Sequence, residues 1–200
     1  MDGRGRLSHY CRKNISNAAA FLFALGTSLH PATPTHREPL TAASLGALEN
    51  AIQSLAPGSV LLLADGSYSN KRPLRIADKR GTAESPIVLR AETRGKAVLR
   101  GDFGFSLSNC EHFVLEGFSL EHDSDYPAVL LDNCREVRIT RNRFRLSERG
   151  PQRRVEHWVS VGGAHSGSNR VDHNLFERRT NAGCYVFLRG DDSALACSRY

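Results

Sequence analysis

The chain contains 200 residues, of which 40% are hydrophobic and 24% are charged, and it carries a formal net charge of +6. This length can supply one sizeable core or part of an elongated fold, and nothing in it requires two domains. The positive charge favours a polyanionic partner. Nucleic-acid binding has no support beyond that charge, because the sequence contains no RNP, helix-turn-helix or zinc-ligand motif.

Residues 1–36 are predicted to be a signal peptide and leader. The first thirteen residues contain four basic side chains and one acidic one, and an apolar run, AAAFLFALGTSL, extends from Ala18 to Leu29. That run is too short to span a bilayer, and the Pro-containing exit HPATPTH is typical of a processed leader. We therefore expect a secreted or periplasmic protein with no membrane attachment after the leader is removed. A buried N-terminal helix is the alternative.

A short amphipathic helix is predicted after the leader. The segment TAASLGALENAIQSLAPGS places four apolar residues on one helical face, namely Leu45, Leu48, Ile52 and Leu55. Ser44 precedes this face as a candidate N-cap, and a Pro-Gly pair follows it as a stop signal. From Val60 onward the helical period disappears. Short apolar runs bounded by turn residues replace it, which predicts an all-β domain.

The β-region contains an internal repeat. The segments LSNCEHFVLEGFSL and LDNCREVRITRNRF superpose without a gap, so that Leu107 aligns with Leu131. In a looser third copy, VDHNLF matches ITRNRF, so that Phe176 aligns with Phe144, and the extra residues fall in the loop SERGPQRRVEH. Such a period, with short strands and Asn or Gly at the corners, predicts a parallel β-helix whose coils bury their apolar faces by stacking.

Stacking in this register would place Asn109 over Asn133 and Cys110 over Cys134, about 4.8 Å apart. The N-terminal helix would then cover the open end of the solenoid, whose strand edges are otherwise exposed. The five cysteines show no CxxC or Cys/His zinc spacing. We therefore expect Cys110 and Cys134 to be buried thiols inside the coil rather than a disulfide.

The pair Asp172-His173 lies on a predicted strand. Neighbouring side chains of a strand point to opposite faces, so we interpret Asp172 as part of the scaffold and do not expect a hydrogen-bonded catalytic couple. His173 stays a candidate for ligand contact on an outer face. The stretch from Arg135 to Arg179 contains eleven arginines and five acidic residues, which indicates either a glycan-contacting face or a solvated one.

Four blocks, ALENAIQSLAPGSVLLLADGSYSN, GTAESPIVLRAETRGKAVLRGD, FVLEGFSLEH and WVSVGGAHSGSNRVDHNLFERRTNAG, resemble polysaccharide lyase family six, the chondroitinase B and alginate lyase group. The resemblance extends from about Leu45 to Asp192. It implies a right-handed parallel β-helix, secretion, and β-elimination of uronic-acid polysaccharides, so the expected partner is an acidic polysaccharide.

The resemblance also implies the chemistry of the complete enzyme. Removal of the C5 proton beside a carboxylate requires a cation that neutralises this carboxylate, which is Ca²⁺ in the family, and a basic Lys assisted by an Arg. In the family these groups and the Asn and Glu metal ligands come from coils after the NRVDHNLFERRTNAG block. We therefore assign no catalytic or metal-binding residue here. The candidate substrate-binding residues are His173, Arg178, Arg179 and Asn181.

These observations divide the chain into three predicted segments. Residues 1–36 are the leader, residues 37–192 are the N-terminal part of a β-helix, and residues 193–200 form a tail without resemblance to the family. We expect an N-terminal lyase fragment that is inactive by itself. The alternative is a non-catalytic β-helix module that binds acidic glycans.

Overall fold

The computed structural model describes residues 38–101, 104–122, 126–146, 157–177 and 184–189. Within these ranges the chain is a parallel β-solenoid with one short helix near its N-terminal side, which confirms the predicted fold class. The predicted leader, residues 1–36, and the predicted tail, residues 193–200, lie outside the described residues. No helix in the described part of the chain is both long and apolar enough to cross a membrane.

The elements alternate in a fixed order along the chain. Helix α1 spans Leu45–Gln53, and the strands are β1 Leu40–Ala42, β2 Val60–Leu63, β3 Gly66–Asn70, β4 Leu74–Ala77, β5 Ile87–Ala91, β6 Ala97–Gly101, β7 Phe105–Ser108, β8 Phe113–Glu116, β9 Ser119–His122, β10 Val129–Asp132, β11 Arg138–Thr140, β12 Arg143–Leu146, β13 His157–Gly162, β14 Arg170–Asp172, β15 Leu175–Phe176 and β16 Cys184–Leu188.

These strands form three parallel sheets, one for each side of the solenoid. Sheet A has the order β1-β2-β5-β8-β11-β14, sheet B has the order β3-β6-β9-β12-β15, and sheet C has the order β4-β7-β10-β13-β16. From β2 onward the chain visits sheets A, B and C in turn, so each strand pairs with its counterpart one coil away. A side chain therefore has a stacking neighbour above and below it in the same column.

The sequence repeat is the stacking register. Leu107 pairs with Leu131 in sheet C, and Phe144 pairs with Phe176 in sheet B, as the alignment of the repeats predicts. The alternation of apolar and polar residues along each strand points the apolar ones inward. Leu107 and Leu131 are fully buried, and burial of each such side chain contributes about 1.5–3 kcal/mol.

Helix α1 packs on the first coil as predicted. Leu48 and Ile52 are buried, and the Ser44 hydroxyl accepts a hydrogen bond from the Ala47 N–H at 3.1 Å. The Lys79 ammonium donates to the Gln53 carbonyl at 2.8 Å, which ties the end of the helix to the coil below it. Strand β1, which precedes the helix and pairs with β2, was missed by the sequence analysis. Such a short strand does not show a period.

Asparagines hold two corners of the solenoid. Asn109 and Asn133 both adopt a φ of 52° at the turn from sheet C to sheet A. Asn142 is buried at the turn from sheet A to sheet B, where its Oδ1 accepts the Phe118 N–H at 2.9 Å and its Nδ2 donates to the Leu115 carbonyl at 3.1 Å. Each amide thus replaces a partner that the bent backbone lacks.

The thiols of Cys110 and Cys134 stack inside the solenoid. Both residues are buried and free of disulfides, as predicted. The Cys134 thiol also contacts backbone oxygens, including the Leu107 carbonyl at 3.5 Å. The hydrogen bond to Cys110, together with burial, raises the pKa of Cys134. Cys134 therefore stays protonated and serves as a small apolar side chain.

Candidate functional site

The structure describes one of the four predicted substrate-binding residues. His173 lies directly after β14 and is exposed. Arg178, Arg179 and Asn181 lie outside the described residues, so their candidate role stays a prediction.

The predicted separation of the Asp172 and His173 side chains was wrong. The His173 Nδ1 lies 3.4 Å from the Asp172 Oδ1. Strand β14 ends at Asp172, and His173 adopts a φ of 52°, so the alternation rule for strands no longer applies at this position. The left-handed turn brings the imidazole back toward the carboxylate.

The conformation of His173 belongs to the corner and is repeated in the coils before it. The register of sheet A aligns Glu116, Thr140 and Asp172, so Gly117, Arg141 and His173 occupy the same corner. Gly117 and Arg141 also have positive φ values, 80° and 55°. The same corner geometry therefore forms with three different side chains, and nothing in it depends on an imidazole.

The carboxylate of Asp172 is engaged by arginines rather than by a catalytic partner. Arg138 donates to it from Nε at 3.1 Å and from Nη2 at 2.9 Å, and Arg170 forms a second ion pair with it. Burial is the largest influence and acts to raise the pKa of Asp172, but the hydrogen bonds from Arg138, Thr140 and His173 together with the charge of Arg138 outweigh it and hold this pKa well below its usual range. Asp172 is therefore an anion of the scaffold at neutral pH.

Most described arginines on the outer faces of sheets A and B form ion pairs. Of the eleven arginines between Arg135 and Arg179, six are described, and five of these six contact a carboxylate. The pairs on the two faces are Arg138–Asp172, Arg170–Asp172, Arg141–Glu116, Arg143–Glu177, Arg145–Glu177 and Arg100–Glu121. The six arginines of these pairs share four carboxylates, so this solvated surface keeps part of its positive charge, and Arg135 is the described member of the stretch without such a pair.

The outer face of sheet C differs in chemistry. Several outward positions of its strands are small, namely Ala77, Ser106, Ser108, Ser160 and Gly162, and Leu130, Asp132 and Phe187 lie in the same columns. Two exposed arginines lie toward its ends: Arg75 on β4, and Arg189 directly after β16, whose side chain lies over Gly162. A shallow face with small residues between cations can accept an extended anionic chain.

Three described grooves border sheet C. The first, of about 390 Å³, lies between α1 and β4 and includes Arg72 and Arg75. A smaller one, of about 50 Å³, lies on the face itself and includes Tyr126 and Leu130. The corner groove, of about 310 Å³, lies where sheet C turns into sheet A. The polar residues that line the corner groove are Arg80, Asn109, Glu111, Asn133, Arg135 and His165.

Sequence reasoning missed the contribution of Arg80 and Glu111 to the corner groove. Arg80, Glu111, Arg135 and Gly167 form one column of parallel bridges. The signal was present, because Leu74 pairs with Phe105 and Asp78 takes the corner position of Asn109. Extending the repeat one coil toward the N-terminus would have placed Arg80 in this column.

A protein can hold a metal ion with a cluster of acidic, histidine or cysteine side chains. No group of three or more His, Cys, Asp or Glu side chains among the described residues is arranged to hold a metal ion. Calcium requires six or more oxygen ligands, mostly from carboxylates, carbonyls and water.

Known proteins share this fold and part of this sequence. Solved structures with a similar fold include the PL6 family alginate lyase AlyGC, with 22% identity and a TM-score of 0.67. The aligned region covers 80% of this chain and 22% of that chain. A mannuronic acid specific polysaccharide family 6 lyase from human gut microbiota has 24% identity and a TM-score of 0.60, covering 76% and 37%. An alginate lyase, AlyF-OU02, in a complex with G6 has 22% identity and a TM-score of 0.54, covering 78% and 32%.

The chain spans 22–37% of the lengths of these three lyases. No curated protein matches the sequence. The family profile described as Chondroitinase B matches residues 42–195, which is well over half of the chain. The chain therefore belongs to the chondroitinase B family, in agreement with its resemblance to polysaccharide lyase family six.

Proposed function

We propose that this chain forms the N-terminal coils of a secreted polysaccharide lyase that cleaves a uronic-acid polysaccharide by β-elimination, and that the 200 residues alone do not catalyse this reaction. The observation that carries the proposal is the family match over residues 42–195 together with the solenoid that the described residues of this range form.

The outer face of sheet C supports an acidic glycan as the substrate. Its small outward side chains leave room for a polysaccharide, and Arg75 and Arg189 lie exposed toward its two ends. Most described arginines on the outer faces of sheets A and B are paired with carboxylates. Arg75 and Arg189 have no such partner among the described residues, so they are available to an incoming polyanion.

The proposed inactivity of the chain alone has a chemical basis. Removal of the C5 proton requires a base within hydrogen-bonding distance of the sugar and a cation that stabilises the developing charge. The resemblance assigns both to later coils, and no group of three or more His, Cys, Asp or Glu side chains among the described residues is arranged to hold a metal ion. What these coils can supply is a face that binds and orients the polysaccharide for groups held elsewhere.

An absorbance assay for the unsaturated uronate product tests this proposal. The chain without residues 1–36 is compared with a version extended by the later coils of an alginate lyase, using alginate and chondroitin. We expect product from the extended protein alone. Product from the shorter chain, abolished by His173→Ala, would overturn the proposed inactivity. An inactive extended protein that folds correctly would contradict the lyase assignment.

A non-catalytic glycan-binding module is the second candidate function. The three grooves around sheet C favour it, because glycan binding in a groove requires no catalytic residue.

Secretion is tested separately, by expressing the full chain in a bacterial host and sequencing the N-terminus of the exported protein. We expect the mature N-terminus near residue 36.

A further inference from the structure

The corner groove contains two arginines without ion-pair partners. Arg80 and Arg135 are exposed and line the groove, and neither forms an ion pair with a described carboxylate. On sheets A and B most described outward arginines contact Glu or Asp, as Arg100 does with Glu121 at 2.6 Å and Arg141 with Glu116 at 3.0 Å. The two groove arginines thus retain their capacity to bind an external anion.

The backbone fixes the spacing of these two arginines. Arg80, Glu111 and Arg135 are connected by consecutive parallel bridges, so one coil separates each from the next. Arg80 and Arg135 are therefore two coil spacings apart, about 10 Å between their Cα atoms. Glu111 lies between them as the carboxylate of the column, yet it forms an ion pair with neither.

The column is open above Arg135. Its next position is Gly167, where an added Cβ would meet no atom within 4 Å. In sheet B the coil after Arg143 and Arg145 contains Glu177, which forms ion pairs with both arginines. The corner column thus lacks the carboxylate that would otherwise neutralise its last arginine.

The floor of the groove is held in place. The Asn133 Oδ1 accepts the His165 N–H at 3.2 Å, and the Asn109 Nδ2 donates to Asp78 at 3.1 Å. The corner carboxylate of Asp78 is thus engaged by an amide. A preorganised polar floor lowers the entropic cost of binding a sugar.

We propose that the corner groove binds an acidic oligosaccharide, with Arg135 and Arg80 contacting the carboxylates of two of its uronate units and Glu111 accepting hydrogen bonds from sugar hydroxyls. The choice of a uronic acid rests on the proposed function, but binding at this groove requires no catalytic group. It is a second contact region, at the corner beside the face of sheet C.

Binding of a fluorescently labelled alginate hexasaccharide to the chain tests the proposal. At low salt, Arg135→Gln is expected to weaken binding about tenfold, because a charge-assisted hydrogen bond is lost. Arg143→Gln is the matched control, since Arg143 is an exposed arginine that already pairs with Glu177, and it should leave the affinity unchanged. The effect of Arg135→Gln should shrink as salt is raised.

Substitution of Gly167 provides a test that leaves both arginines in place. Gly167→Glu adds the missing carboxylate above Arg135 and is expected to weaken binding about as much as Arg135→Gln, about tenfold. Gly167→Gln adds the same bulk without charge and should keep most of the affinity. Circular dichroism and thermal melts of all variants establish that each is folded.

Equal affinity of the wild type, Arg135→Gln and Gly167→Glu would overturn the proposal. So would equal binding of a neutral hexasaccharide, or preference for a single-stranded oligonucleotide over the uronate hexasaccharide. These outcomes concern binding alone. A lyase activity found in the extended protein would survive each of them, so failure of the groove and failure of the proposed function are distinguishable.

Discussion

Arg138 holds the carboxylate of Asp172 with two parallel hydrogen bonds across neighbouring coils of sheet A, from Nε to Oδ1 at 3.1 Å and from Nη2 to Oδ2 at 2.9 Å. The Asp172 side chain is 14% exposed. A planar guanidinium matched to a carboxylate in this way fixes the register of the two strands as well as their charge balance.

This pair should make the solenoid sensitive to acid. The pKa of Asp172 is lower in the folded chain than in the unfolded one, so the pair contributes its full stability above the unfolded pKa of about 4 and loses it as the pH falls further. We expect Asp172→Asn to lower the melting temperature at pH 7, and the difference from the wild type to shrink toward pH 2. Thermal melts recorded across this pH range measure the difference.

Glu121→Gln, in an exposed pair with Arg100, is the control and should have a small effect at every pH. A constant difference for Asp172→Asn from pH 7 to pH 2 would contradict this account.

The sequence predicted the coils well because their signal is periodic. Leu107 over Leu131 and Phe144 over Phe176 follow directly from apolar residues that recur at matching positions of the repeats. The side-chain relation of Asp172 and His173 could not be predicted, because it depends on where a strand ends. One residue with a positive φ redirects the chain and leaves no mark in the hydrophobic pattern.

Which arginines of the corner groove lack a carboxylate partner could not be read from the sequence pattern. Whether an arginine is paired depends on the residue one coil away in its own column, and insertions change that offset along the chain. Arg135 and Arg138 are close neighbours in the sequence, yet Arg138 has a carboxylate partner and Arg135 has none among the described residues. The basic stretch therefore predicted an attraction to anions without identifying the side chain that is free to provide it.

Asn142 is expected to be essential for the corner that contains it. Asn142→Ala removes the acceptor of the Phe118 N–H and the donor to the Leu115 carbonyl, both of which are buried. The expected loss is roughly 2–4 kcal/mol of unfolding free energy, since each buried polar group left without a partner costs about 1–3 kcal/mol. Urea unfolding measures it. Asn50→Ala, on the exposed side of α1, is the matched control and should change stability little.

The thiols of Cys110 and Cys134 should resist modification in the folded chain. Both are buried, and the pKa of Cys134 is raised, so its thiolate is scarce. With Cys11, Cys184 and Cys197 replaced by Ser, iodoacetamide labelling followed by mass spectrometry should give no adduct in buffer and two in denaturant. A quantitative Cys110 to Cys134 disulfide in the oxidised protein would show that the pair is more reactive than its surroundings suggest.

His173 should tolerate replacement by glycine better than by valine. Its φ of 52° suits glycine, which already occupies the same corner at position 117, whereas a β-branched side chain is strained there. We expect His173→Gly to melt within a few degrees of the wild type and His173→Val to melt clearly lower. Similar melting temperatures for the two variants would mean that the corner relaxes when its side chain changes.

The chain should self-associate through its last described coil. Leu175 and Leu188 are 57% and 47% exposed there, next to the edges of β15 and β16. Exposed apolar groups beside unpaired strand edges promote association. Sedimentation velocity should therefore show oligomers that Leu175→Lys and Leu188→Lys together reduce. Leu40→Lys, which is 46% exposed on the opposite end of the solenoid, is the control. An oligomer distribution unchanged by the double substitution would exclude this surface as the contact.

The coil that contains the loop SERGPQRRVEH is longer than the coil before it, yet β11 still pairs with β14 and β12 still pairs with β15. A coil can therefore lengthen at a corner without moving the coils on either side of it. The number of residues in a coil can thus change without changing the distance between stacked coils. A corner can therefore gain or lose residues over evolutionary time while the outward-facing columns keep their spacing. For an engineer, such corners are sites where a loop from a related protein can be exchanged as an independent part.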